Sequence, residues 1–189
     1  MASGTQELHR RALAEFGERV RAVADDQWHL PTPCSEWDVR ALVNHMTSEN
    51  LWTTPLFDGK TVAEVGDRYD GDVLGDDPKG AWEASARAAE AAVGDAGTME
   101  RTVHLSFGDF PGREYTMQLL ADLVIHCWDL ARAIGADERL DPELVEQVAA
   151  WFEPTEAGYR TAGAIGPRVE VPTDADPQTR LLAAFGRKA

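Results

Sequence analysis

Residues 116–134 read TMQLLADLVIHCWDLARAI, and Gly135 follows them. Apolar residues recur through this stretch at the three- and four-residue spacing of a helix that is buried along one face. Glycine is the residue that most readily takes the left-handed conformation found just after many helices. The stretch therefore predicts a long helix that ends at Gly135.

The same periodicity predicts helices on both sides of this stretch. The segment Ser35-Glu36-Trp37-Asp38 has the form of a capping box, which places the start of one helix near Ser35. That helix is expected to run to about Trp52, before Pro55. The full set of other predicted helices spans 5–24, 35–52, 78–93, 142–161 with a break near Pro154, and a short closing helix over 179–185.

Two segments do not follow the helical pattern. Residues 57–78 are rich in glycine and aspartate and are expected to form a loop that can include one short helix. Residues 102–115 alternate and then turn, which predicts a short hairpin or extended insertion. The fold class is therefore all-α, an antiparallel four-helix bundle with that insertion and a C-terminal extension. We expect the bundle over 1–165 and the extension, packed on it, over 166–189, as one domain overall.

The composition of the 189 residues argues against two classes of protein, those that bind nucleic acid and those that span a membrane. Hydrophobic residues make up 43% of the chain and the net charge is −15, so a surface that binds nucleic acid is not expected. No apolar run approaches the roughly 18 residues of a membrane span, and no signal core is present near the N-terminus. We expect a cytoplasmic protein in which Cys34 and Cys127 are small buried residues rather than a disulfide.

Two histidines, His45 and His126, lie within apolar helical stretches, and a buried imidazole needs partners for both ring nitrogens. Asp122 precedes His126 by four residues, so both side chains share one helix face. The pair can clamp a metal ion, and it can equally form a simple hydrogen bond. His45 would add a third ligand across the bundle.

Three protein ligands leave at least one coordination position open, which is typical of a catalytic metal site. Imidazole and carboxylate suit zinc, nickel, iron or cobalt, so the residue types do not select the ion. Glu49 follows His45 by four residues and Asp129 follows His126 by three. Either acid can be a fourth ligand, a general base, or the acceptor that orients an imidazole.

Other side chains are candidates for binding a substrate. Arg40, Arg113 and Arg132 can bind a carboxylate, although each can also be a solvated or salt-bridged surface residue. Trp37 and Trp128 flank the histidine segments and are expected to pack the bundle.

Two motifs resemble a known family. The segments CSEWDVR at 34–40 and LVNH at 42–45 resemble the opening motif of the metal-binding domain of mycothiol-dependent maleylpyruvate isomerases, within the DinB-like (YfiT-like) four-helix-bundle superfamily. The segment ADLVIHCWDLA at 121–131 resembles the second motif of that domain. The closing segments DPQTRLL at 176–182 and FGR at 185–187 resemble the end of an actinobacterial branch.

The resemblance implies a divalent metal, usually zinc, held by His45, Asp122 and His126. The isomerase has glutamate where this chain has Asp122, and it has a separate C-terminal domain that this chain is expected to lack. The open three-ligand site predicts a metal-dependent enzyme acting on a small molecule, and the resemblance implies a low-molecular-weight thiol such as mycothiol, used by a transferase or isomerase. In this hypothesis Glu49 or Asp129 moves protons, and Arg40 or Arg132 binds the cosubstrate.

Three alternatives stay open. The first is a metal-dependent hydrolase, isomerase or cyclase that uses no thiol. The second is a non-catalytic module that binds a metal or a ligand. The third is a purely structural bundle with buried His–Asp pairs. The sequence does not determine the oligomeric state, and the alanine-rich helix over 78–93 is a candidate face for a homodimer.

Overall fold

The computed structural model describes residues 4–163 and 165–189 and divides the chain into two compact units, Met1–Ala136 and Asp137–Ala189. Residues 137–165 therefore group with the C-terminal segment, whereas the sequence analysis had placed them with the bundle. Within the described residues there are eight α-helices and a single two-stranded sheet. The prediction of an all-α fold is confirmed.

Four long helices form the first unit. They are α1 (Thr5–Ala22), α2 (Val39–Phe57), α4 (Pro78–Gly94) and α5 (Gly112–Ile134), and the one-turn α3 (Val62–Val65) lies between α2 and α4. Helix α1 packs against α4 and α5, and α2 packs against the same two helices. Each long helix thus has two long neighbours, which is the arrangement of a four-helix bundle.

Two contacts fix the direction of α2 relative to α5. His45 lies beside Asp122, and the rings of Phe57 and Tyr115 are 5.4 Å apart. The later residue of α2 therefore contacts the earlier residue of α5, so the two helices are antiparallel. Residues one turn after His45 face residues one turn before Asp122.

The contact between α1 and α4 is also antiparallel. Gln6 donates to the carbonyl of Val93 at 2.7 Å, and the rings of Phe16 and Trp82 are 4.6 Å apart. Phe16 and Trp82 are almost completely buried. Aromatic burial of this size is a large contribution to the core of the bundle.

The predicted hairpin is confirmed. Strands β1 (Thr102–Leu105) and β2 (Gly108–Pro111) pair antiparallel, with Val103 opposite Phe110. A short 3₁₀ turn over Thr98–Glu100 precedes them. Helix α5 begins at Gly112, one turn earlier than the sequence pattern predicted, directly after β2.

The start and end of α2 were predicted wrongly. The residue that caps its N-terminus is Asp38, whose carboxylate accepts from the N–H of Ala41 at 2.8 Å, and not Ser35. Pro55 lies inside the last turn, and α2 continues to Phe57. Leu56 and Phe57 are both buried, so their packing in the core favours another helical turn despite the proline.

The second unit contains α6 (Pro142–Phe152), α7 (Glu156–Thr161) and α8 (Pro177–Ala184). Helices α6 and α8 pack together, and the rings of Phe152 and Phe185 stack at 4.1 Å. The break predicted near Pro154 is confirmed by the gap between α6 and α7. In the part of the chain that the structure describes, no helix is both long enough and apolar enough to cross a membrane.

Candidate metal centre

His45, Asp122 and His126 lie together between α2 and α5. Nε2 of His45 is 3.0 Å from one oxygen of Asp122, and Nε2 of His126 is 3.5 Å from the other. One donor atom from each of the three residues lies within 4.8 Å of the others. The structure therefore brings together the three side chains that the sequence analysis had grouped.

Local sequence explains how these side chains converge. Asp122 and His126 are one turn apart on α5, so the helix itself sets their spacing. His45 lies on α2 beside Leu42 and Met46, which are both almost completely buried and fix that face of the helix against the bundle. The third side chain is therefore positioned by packing rather than by local spacing.

The distance from Asp122 to each histidine is compatible with a shared ion. Two ligand atoms held about 2.0–2.1 Å from one ion at tetrahedral angles are about 3.3 Å apart. The two nitrogen–oxygen distances at Asp122, 3.0 and 3.5 Å, bracket that value. Two imidazoles and a carboxylate are also a donor set that zinc and similar ions accept, so these residues fit a divalent metal.

The carboxylate of Asp122 changes the pKa of His45. Burial alone would lower the pKa of His45, but its hydrogen bond to Asp122 and the negative charge of that carboxylate outweigh burial and raise it. Side-chain exposure is 27% for His45 and 39% for Asp122, against 7% for His126. One edge of the cluster therefore lies open to small molecules.

Asp129 orients the most buried of the three. Its oxygen lies 2.9 Å from Nδ1 of His126, and its side chain has no exposed surface. An acceptor on the second ring nitrogen directs the other nitrogen, Nε2, toward Asp122. Of the three roles predicted for Asp129, burial and this contact fit the orienting acceptor.

Cys34 also lies beside the centre, where the sequence alone did not place it. It is half-buried rather than a buried apolar residue, and its Sγ lies 3.3 Å from Asp129 and 3.9 Å from Nδ1 of His126. Cys34, His126 and Asp129 form a second group of close donor atoms. The one available sequence signal was the position of Cys34 at the head of the motif that leads to His45.

Trp37 covers the two histidines. Its ring is 4.7 Å from that of His45 and 5.6 Å from that of His126. The N–H of Trp37 donates to the carbonyl of Cys34, and this turn places both residues over the centre. The packing role predicted for Trp37 thus includes direct contact with two candidate ligands.

We expect Trp37 to report on metal binding. A paramagnetic ion such as Co²⁺ between the histidines should quench its fluorescence, and because the chain has six tryptophans the loss should be about one sixth of the emission. Titration of Co²⁺ into the protein and into Trp37→Phe measures this. The matched control is Trp151→Phe in the second unit, which should keep the quenching. Equal quenching in Trp37→Phe and the parent protein would contradict the assignment.

Glu49 lies one turn beyond His45 on α2. Burial, with a further contribution from the negative charge of Asp122, raises the pKa of its carboxyl to about 7, against a smaller opposing effect of His45. Its oxygens do not belong to either group of close donor atoms. A carboxyl of this kind can gain or lose a proton near neutral pH.

The arginines considered as substrate or cosubstrate ligands have other partners. Arg40 donates to Asp72 at 2.8 Å and to the carbonyl of Gly75 at 2.9 Å. Arg132 lies over the ring of Trp128 at 4.9 Å, in cation–π geometry. Arg113 is exposed at the start of α5. The contacts described for Arg40 and Arg132 are with Asp72, Gly75 and Trp128, which do not belong to the His45–Asp122–His126 cluster.

Comparisons with known proteins identify the family of the chain. The family described as mycothiol maleylpyruvate isomerase N-terminal domain matches residues 9–131, a span that contains all the side chains of the centre. Two uncharacterized proteins, from the CDC 1551 and H37Rv strains of Mycobacterium tuberculosis, are each 33% identical to this chain over 186 residues. Each alignment covers 95% of this chain and 95% of the relative. No solved structure gives a significant match.

Proposed function

The chain belongs to the mycothiol maleylpyruvate isomerase N-terminal domain family, and on that basis we propose that it is a metal-dependent enzyme acting on a small molecule with a low-molecular-weight thiol. His45, Asp122 and His126 would hold the ion. We propose zinc as the ion and mycothiol as the thiol. A transferase or isomerase reaction is the class that this combination serves best.

The single observation that carries the proposal is the donor set with an open edge. Three side chains from two helices present donor atoms within 4.8 Å of one another. Structural zinc sites use four protein ligands, whereas catalytic sites use three and leave a position for water or substrate. The exposed sides of His45 and Asp122 are where a small molecule can enter.

The replacement of the isomerase's glutamate by Asp122 is compatible with this ligand set. Although aspartate is one methylene shorter, one of its oxygens lies 3.0 Å from Nε2 of His45 and the other lies 3.5 Å from Nε2 of His126. The backbones of α2 and α5 are therefore close enough for the shorter side chain to serve as a ligand. The departure does not argue against metal binding in this chain.

The roles of the chain's own groups follow from their positions. A divalent ion lowers the pKa of a thiol or water bound to it, and so supplies a nucleophile near neutral pH. Asp129 keeps Nε2 of His126 directed at the centre. Glu49, whose pKa is raised by burial, would accept the proton released there and return it to the product. Trp37 packs against the two imidazoles.

Metal analysis tests the first half of the proposal. We expect about one equivalent of a divalent ion per purified chain, and its loss in His45→Ala. The matched control is His104→Ala, because His104 also pairs with an aspartate, Asp109, at 2.7 Å but lies in the hairpin. A purified protein that binds no divalent ion, even when zinc or cobalt is supplied, would contradict the proposal.

A spectroscopic assay tests the second half. Addition of mycothiol or N-acetylcysteine to the cobalt-loaded protein should produce a sulfur-to-cobalt charge-transfer band, because the open position accepts a thiol. Glu49→Gln should keep that band but slow turnover of an electrophilic substrate, by 10²-fold or more in the range of about 10²–10⁴ typical of a general base. A bound metal whose spectrum no thiol changes would exclude the thiol and leave metal-dependent hydrolysis.

A further inference from the structure

Two donors meet on a single oxygen of Asp129. Nδ1 of His126 lies 2.9 Å from Oδ2, and Sγ of Cys34 lies 3.3 Å from the same atom. Asp129 has no exposed surface, whereas Cys34 is half-buried in the loop before α2. This contact joins that loop to α5 across 95 residues of sequence.

The geometry argues against a nucleophilic triad of cysteine, histidine and aspartate. In such a triad the thiol and the carboxylate contact opposite nitrogens of the imidazole. Here Cys34 and Asp129 both lie on the Nδ1 side of His126, and Nε2 faces Asp122. The imidazole therefore cannot pass a proton from the thiol to the carboxylate in the manner of a triad.

The geometry also favours a hydrogen-bond donor over a metal ligand at Cys34. When Nε2 of His126 is directed at the metal centre, Nδ1 carries the proton and must donate it, and Asp129 accepts it. The thiol of Cys34 is then the second donor to the same carboxylate. A buried carboxylate is held more firmly by two donors than by one.

We propose that Cys34 is a positioning residue of the metal centre, acting through Asp129 on His126. The thiol fixes the carboxylate, the carboxylate fixes the plane and tautomer of the imidazole, and Nε2 is thereby aimed at the ion. The same contact holds the turn that carries Trp37 over the two histidines. This inference rests on the metal binding proposed above.

The test compares the two cysteines of the full-length protein. Loss of an outer hydrogen-bond partner typically weakens metal binding by about 10–100-fold, and Cys34→Ala should lie at the lower end, near tenfold, in a Co²⁺ competition titration. Cys34→Ser keeps a donor and should restore affinity to within about threefold. The control is Cys127→Ala, because Cys127 is buried on the same helix as His126 but belongs to neither donor group.

A double-mutant cycle shows whether Cys34 acts through Asp129. Once Asp129→Asn has weakened binding, adding Cys34→Ala should reduce the affinity no further. Independent, multiplicative losses would overturn the proposal. So would a sulfur-to-cobalt band that appears without added thiol and disappears in Cys34→Ser, because the thiol would then be a ligand.

A measurement on metal-free protein separates this inference from the proposed function. The side-chain Nδ1–H proton of His126 should appear far downfield in proton NMR, and should shift in Cys34→Ala but not in Cys127→Ala. If the protein binds no metal and the shift is present, the proposed function fails while the positioning contact stands. If Cys34→Ala leaves the His126 resonance unchanged, the inference is wrong whether or not metal binds.

Discussion

Replacing His126 with alanine is expected to lower the affinity of the protein for Zn²⁺ or Co²⁺ about a thousandfold, which corresponds to about 4 kcal/mol. The variant loses the Nε2 donor, and Asp129 and Cys34 lose the imidazole that lies between them and the centre. A competition titration against a chelator of known affinity measures the change.

A second variant, His45→Ala, controls for the possibility that His126→Ala fails to fold. His126 is buried, so removing its ring leaves a cavity, whereas His45 has 27% of its side chain exposed and can be truncated with less disturbance of the core. His45→Ala should lose affinity to a similar extent while its circular dichroism spectrum stays that of the parent. Affinities within about threefold of the parent in both variants would exclude this centre as the binding site.

His9 should make the protein sensitive to mild acid. It is 1% exposed on α1, neither of its ring nitrogens has a hydrogen-bond partner, and burial lowers its pKa to about 4. Between pH 6.5 and pH 4 the unfolded chain therefore binds a proton at His9 that the folded chain does not. Stability must fall as the pH falls through this window, by about 2 kcal/mol between pH 7 and pH 4.5.

Urea unfolding of the parent protein and of His9→Leu at both pH values isolates this contribution. The carboxylates titrate in both proteins, so the difference between their pH dependences belongs to His9. Leucine needs no hydrogen bond, and we expect the variant to be at least as stable as the parent at pH 7. The control is the exposed His29→Leu, and parallel losses of stability in the parent and His9→Leu would refute the prediction.

The long helices were predictable because their periodicity is strong, but the ends of α2 were not. Ser35 and Asp38 both suit a helix cap, and they are three positions apart, as in a capping box. The fold uses Asp38, because residues 34–37 form the turn that brings Cys34 and Trp37 to the centre. Local sequence offers both starts, and tertiary contacts select one.

Some residues of the site could likewise be predicted from local spacing, whereas others depend on tertiary packing. Asp122 and His126 were visible from a four-residue spacing, which a helix converts directly into proximity. His45 could be joined to them only by assuming a bundle, and the family resemblance gave that grouping most of its support, because the position of His45 depends on how α2 packs against α5. The contact between Cys34 and Asp129 spans 95 residues and has no periodic signature at all, so it was missed.

The candidate ligands lie on two helices, with His45 on α2 and Asp122 and His126 on α5. His45 and Asp122 are 77 residues apart in sequence, so an ion shared between them would cross-link α2 to α5. By mass action, an ion present at about a thousand times its dissociation constant adds about 4 kcal/mol to the free energy of unfolding. The folded fraction, and with it resistance to proteolysis, would then rise and fall with the free metal concentration in the surroundings.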